Sequence, residues 1–380
     1  MQKKLLAAAV SSLIAGQAMA VTVYDDGSNK FDVGGHIGVR VVNQKNGNDT
    51  SNTNTKGDES RFNLVAESNL NESTTAFATG EWGFDVTSED ADNDNDDNTF
   101  STRLGFVGIS NDRLGTLSIG KQWSAYNRVG GWTDQFATVG GEASGLYAHN
   151  EAALGVGRAD DALQYHWGAN SLNVYAQYQF ADNEKISHDP FDIILGSPIS
   201  RQRKESYGLA VSYDLPMGIS FGAAYNEARF EEEDQDKAQA TLIGIKYIQG
   251  AIYAAVTYSQ MKNHASFLQR KTEGVVKDFY SVFEKAVGTE VYVSYELNDN
   301  FKLETGYNEL KNDGDAVSDA EKATKVKYFP VGLVYTSGAL QLSATYKYNK
   351  GTWLVLEDSA VGVVQKDVED EFVVQARYHF

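Results

Sequence analysis

Side chains that could do chemistry are few and scattered in this chain. Its six histidines, His36, His149, His166, His188, His264 and His379, have no metal-type spacing, and none is paired with a nucleophile. Asp92, Asp94 and Asp96 alternate as the start of a calcium loop does. Asp97, however, stands where that loop needs Gly, and Arg103 where it needs Glu. No catalytic set, metal site or cofactor is therefore expected. Asp134 and Glu142 stand out by position. They belong to residues 125–157, by far the longest connection, and Gly140-Gly141 between them lets the backbone bend sharply. Such a segment is either an external loop or one folded back into the molecule, carrying both carboxylates across its interior.

The elements that must position it are strands. Near the end, Phe372, Val374, Ala376, Tyr378 and Phe380 are apolar, with Gln375, Arg377 and His379 among the residues between them. Period-2 alternation makes one oily face and one wet face, which suits a strand with lipid outside and water inside. Seven short connections, at 69–73, 111–115, 168–171, 215–218, 249–250, 298–300 and 337–338, carry residues that tolerate tight turns. Eight long polar ones alternate with them: 43–57, 87–98, 125–157, 181–203, 231–236, 262–285, 312–323 and 350–369. The segments between are about the 9–11 residues that a tilted strand needs to cross a bilayer. This pattern predicts an all-β fold: a 16-stranded antiparallel transmembrane β-barrel with short periplasmic turns and long external loops.

Lys3-Lys4, an apolar run over 5–14 and Ala18-Met19-Ala20 form a secretory signal, so residues 1–20 are expected to be removed and 21–380 to form the barrel. The mean hydropathy of −0.40 fits either a soluble periplasmic protein or a barrel, whose lipid-facing residues alternate with polar ones. Zero cysteines rule out a disulfide framework. The formal charge of −19 provides no basic footprint for nucleic acid. Much of the acid lies in blocks at 89–97, 231–236 and 367–371. It predicts a cation preference, since fixed charge near a pore concentrates counter-ions.

Several segments carry a family likeness: Asn29-Lys30-Phe31-Asp32, Arg61, Thr102-Arg103-Leu104-Gly105-Phe106-Val107-Gly108 and Ile119-Gly120-Lys121-Gln122. Gly140-Gly141, Gly157-Arg158-Ala159-Asp160-Asp161 and the Tyr378-x-Phe380 terminus follow. In order and spacing the chain resembles the general trimeric porins of Gram-negative bacteria. The resemblance implies a homotrimer in the outer membrane, an inward-folded third loop, and a pore constriction in which wall arginines face acids of that loop. The matching positions are Arg61, Arg103 and Arg158, opposite Asp134. The family's wall lysine falls at His36, with Arg40 one pleat pair further along the same face. The loop's usual Pro-Glu falls at Ala137-Thr138, and Glu142 is a candidate replacement. Without the resemblance, Arg61 and Arg103 read as lumen lining paired with Glu67 or Glu81. The resemblance also implies that the second loop, with its 89–97 acids, latches a neighbouring subunit; divalent-ion bridging to lipopolysaccharide is the other role for those acids.

The expected function is a water-filled channel for passive diffusion of ions and small hydrophilic solutes. The alternative is an oligosaccharide-type selective channel, with Trp123, Tyr126, Trp132, Phe136 and Tyr147 as a stacking track for sugar rings. A barrel enzyme is not expected.

Overall fold

The computed structural model describes residues 20–46, 50–87, 100–147, 154–182, 185–187, 200–231, 237–264, 266–269, 279–282, 284–314, 325–356 and 363–380. Residues 1–19 of the expected secretory segment 1–20 and the 89–97 acidic block lie outside them.

Sixteen antiparallel strands close into one barrel. They are β1 (Asn29–Asn46), β2 (Ser60–Asn71), β3 (Thr74–Phe84), β4 (Phe100–Asn111), β5 (Gly115–Trp123), β6 (Arg158–Ala169), β7 (Leu172–Gln179) and β8 (Ser200–Asp214). Then follow β9 (Ile219–Phe230), β10 (Ala238–Gln249), β11 (Ile252–Lys262), β12 (Lys285–Glu296), β13 (Phe301–Asn312), β14 (Lys325–Ser337), β15 (Leu340–Asn349) and β16 (Glu371–His379). Each pairs with the next, and β16 returns to β1 through His36↔His379 to Gln44↔Glu371. The N-terminal strand Val21–Asp25 lies beside the start of β1 and prolongs the line of β16. Phe380 and Gly35 exchange two backbone hydrogen bonds, at 2.9 and 3.0 Å. No barrel strand is left as an open edge, as lipid requires.

The usual core arrangement is reversed. Ile37, Val39 and Val41 of β1, Ile243 and Ile245 of β10, and Val331 and Leu333 of β14 are exposed on the outer face. Next to them along the strands, His36, Leu242 and Val334 are buried. The inner face also carries Gln164, Gln177, Asn226, Thr257, Glu290, Glu304 and Asn308, all buried. Alternation thus gives hydrocarbon an apolar belt and the interior hydrogen-bonding groups.

All seven short connections are turns. Asn111 Oδ1 accepts from the backbone N–H of Arg113 (3.0 Å) and Leu114 (3.1 Å). Asn298 Oδ1 does the same for Asn300 and Phe301, both at 3.0 Å. These side chains mimic a backbone turn, which is why Asn recurs there. Two long connections are more ordered than expected. β1 continues to Asn46 and pairs in register with Thr50–Gly57, so 43–57 is mostly hairpin. Likewise Thr352–Leu356 pairs with Val363–Asp367 within 350–369. The 50–57 arm is polar on both faces, so hydrophobic periodicity cannot report it.

Candidate functional site

A barrel of this size has an open bore unless something fills it. Here the segment after β5 turns inward. Ser124 Oγ accepts from Asn127 N–H at 2.9 Å and donates to Val156 O at 2.6 Å, closing the neck of the loop. One short helical turn follows, α1 (Asn127–Gly130). Away from any ladder, the loop's backbone groups must find other partners, and the polar inner wall supplies them. Ala125 N–H donates to Gln177 of β7 (2.9 Å), and Asn226 of β9 donates to Leu154 O (2.5 Å). Tyr253 and Ser259 of β11 donate to Trp132 O and Ala143 O, each at 2.7 Å. Glu290 of β12 accepts from Ala143 N–H (2.8 Å) and Thr133 Oγ (2.7 Å). Glu304 of β13 accepts from Ala137 N–H (3.0 Å), and Gln375 of β16 donates to Ala137 O (2.8 Å). The loop is therefore fixed along the wall from β7 round to β16.

Packing reinforces these bonds. Val129 and Trp132 lie against Gly222 and Gly244, and a Cβ on Gly222 would come within 2.6 Å of Trp132. A Cβ on Gly288 would stand 1.7 Å from Ala143 O. Phe136 meets Tyr292 edge-on at 4.6 Å. Tyr126 is fully buried and donates to Ser144 O at 3.0 Å; burial first, then the Glu290 charge, push its phenol pKa well up, which keeps the donor protonated. Gly140 and Gly141, at φ +119° and +80°, bend the loop where a side chain would be strained.

The remaining sector, β1 to β4, holds most of the arginines expected from the sequence. Arg61 points inward from β2, 3.2 Å from Glu59 and 3.7 Å from Glu81. Arg103 lies 2.8 Å from Glu81 and 3.4 Å from Glu59. Its inward direction has a local cause. Glu81 pairs with Leu104 and Trp82 with Thr102, so Arg103 is the extra residue of a β-bulge. Strict alternation would put it on the outer face beside inward Leu104; the bulge re-aims it. Arg158 opens β6 with its guanidinium 6.0 Å from the Trp123 ring centre. Arg40 shares the inward phase of β1 with His36 and Gly38. His36 is buried two residues before Gly38, opposite both Arg61 and His379, the two imidazoles 5.3 Å apart.

The two loop acids end in different surroundings. Asp134 accepts from Tyr147 OH at 2.5 Å, beside the two glycines. Glu142 accepts from Tyr328 OH and from Asn308 Nδ2 (3.4 Å), both on the wall. The pairing of the wall arginines is with Glu81, and none of the named bonds involves Glu67. Of the aromatic track, Tyr126 and Trp132 are buried and Phe136 packs on Tyr292, so they serve as packing; Tyr147 is exposed.

Sequence reasoning missed Glu59, Asp58 and Arg377. Arg377 of β16 donates to buried Asp58 and widens the basic wall by one strand. Its lumen-side phase in the terminal strand was the available signal. The anchoring acids Glu290 and Glu304 were also missed, although both lie in the inward phase of their strands. Among the described residues, one acidic group has metal-like closeness, Asp160, Asp161 and Asp182. The fully buried Arg203 side chain already bonds to the first two, at 2.6 and 3.2 Å, so a guanidinium fills the cation's place.

A closed sixteen-stranded barrel with a loop fixed inside a polar bore defines an outer-membrane channel. The family model for Gram-negative porins matches residues 6–280, and the chain belongs to that family. It is 26% identical over 391 residues to outer membrane protein F of Serratia marcescens, covering 97% of each chain. It is 28% identical to outer membrane porin N of Escherichia coli over 88% of this chain and 89% of that one. The OmpF structure of Salmonella typhi, solved with daunomycin, superposes with TM-score 0.73 at 21% identity, covering 95% and 100% of the two chains. An anion-selective porin from Comamonas acidovorans superposes at 0.64 with 15% identity, covering 93% and 100%. The protein is thus a non-enzymatic outer-membrane porin for passive diffusion.

Proposed function

We propose that the bore is a general, cation-preferring channel for ions and small hydrophilic solutes, constricted between Arg61, Arg103 and Arg158 and the third-loop carboxylate Asp134. His36 and Arg40 flank the basic side, and Glu142 anchors the loop to β13 and β14. The carrying observation is that the bonds fixing the third loop run from β7 to β16, away from the β1–β4 wall that carries Arg61 and Arg103. Opposed charges across a water-filled gap make a transverse field. A polar solute aligns its dipole there; an apolar one gives up ordered water without compensation. Fold does not set the sign of selectivity, since the Comamonas relative shares it and is anion-selective. The net charge of −19 and the pairing of Arg61 and Arg103 with Glu59 and Glu81 favour cations here. We further assign a homotrimer, lipopolysaccharide contact by the outer loops, and release of a signal segment before Val21.

Reversal potentials in planar bilayers under a salt gradient test the reading. The wild type should prefer cations, and Asp134→Asn should weaken that preference. An unchanged reversal potential would remove Asp134 from the constriction.

A further inference from the structure

We propose that Glu59 is a selectivity-determining acid on the basic wall itself, a carboxylate that offers passing cations and ammonium groups a partner among the arginines. This deepens the channel reading and rests on it.

Glu59 lies between the 50–57 arm and β2 in the left-handed region, at φ +43°. A non-glycine residue held there costs of the order of a kcal/mol unless its neighbours fix it, and here they do. Asp58, 2% exposed, is bonded to Arg377, and its N–H donates to Gly38 O at 3.1 Å. Ser60 is fully buried, and its Oγ accepts from Gly38 N–H at 3.0 Å. With both flanks clamped to β1, the Glu59 side chain has one way to go. It enters the bore, where Oε2 stands 3.2 Å from Arg61 and 3.4 Å from Arg103. The positive charges of Arg103, Arg61, Arg158 and Arg377 all bear on it.

Glu81 touches the same two arginines yet is 9% exposed at the side chain, and so balances them from within the wall. Glu59 is 61% exposed. Its carboxylate is therefore open to solvent in the bore, where a solute cation can approach it. Ala137 of the loop is bonded through its backbone to Glu304 and Gln375. Cations would meet a carboxylate on each side of the gap, and anions an arginine ladder interrupted at its centre.

The test is the reversal potential of Glu59→Gln, with Glu59→Asp and the periplasmic-turn variant Glu72→Gln alongside. Glu59→Gln should lower the cation-to-anion permeability ratio by about two-fold or more, since it removes a fixed charge within a screening length of the ion path. Glu59→Asp should keep most of the wild-type ratio, and Glu72→Gln all of it. A Glu59→Gln ratio equal to that of Glu72→Gln would overturn the assignment. If Asp134→Asn shifts the ratio while Glu59→Gln does not, the channel reading stands and Glu59 alone falls. A wild type with no ion-selective conductance would remove both.

Discussion

Arg103 shows how one residue's role depends on a single irregularity of the ladder. Its guanidinium joins Arg61, Glu59 and Glu81 because a bulge sets it inward, against the alternation of β4. Removing it should act on the pore more than on the barrel. In Arg103→Ala, Glu81 keeps Arg61 at 3.7 Å, so the lost bond should cost only about 1–3 kcal/mol. Single-channel conductance should rise and larger sugars should enter liposomes faster; an unchanged size cut-off would contradict its place at the constriction. Legibility at this scale was uneven. Arg61 and Arg103 could both be read as lumen lining and by family likeness, but the bulge that turns Arg103 inward could not be read from the sequence. Glu59 was invisible because it follows a polar segment with no hydrophobic rhythm, where no phase can be read.

Among the elements, the third loop owes its position to side chains of other strands. Length and a glycine pair marked it as unusual but left its direction open. What sends it inward lies elsewhere in the chain: Glu290, Glu304, Tyr253 and Ser259 supply bonds, and Gly222 and Gly288 supply room. These residues look ordinary in the sequence, because an inward-facing Glu or Gly in a barrel strand has no distinguishing neighbours. Gly288 gives the sharpest test. In Gly288→Ala the new methyl would occupy the place of Ala143 O, forcing the loop away and loosening the Glu290 bonds, each worth roughly 1 kcal/mol or more. The variant should conduct more with noisier current, while heat denaturation of the folded barrel in detergent stays near the wild type. A large drop in that temperature with normal conductance would show that Gly288 serves the wall and not the loop.

For the molecule as a whole, the barrel was the most legible feature. Period-2 alternation, short turns and long loops express one requirement, that every strand meets lipid on one side and polar space on the other. The strand count and all seven turns followed from it. The register of hairpins beyond the lipid belt did not, because no apolar face constrains them there. Element and molecule meet in a closed barrel whose bore is narrowed by the third loop at Asp134. The chain has no cysteine, so a single one can report its own surroundings. The decisive measurement is the current through Asp134→Cys channels on adding a cationic, membrane-impermeant methanethiosulfonate reagent, with outward-facing Val107→Cys as the control. Stepwise loss of current in the first and none in the second is the predicted result; an unaffected Asp134→Cys current would mean that the loop does not line the conduction path.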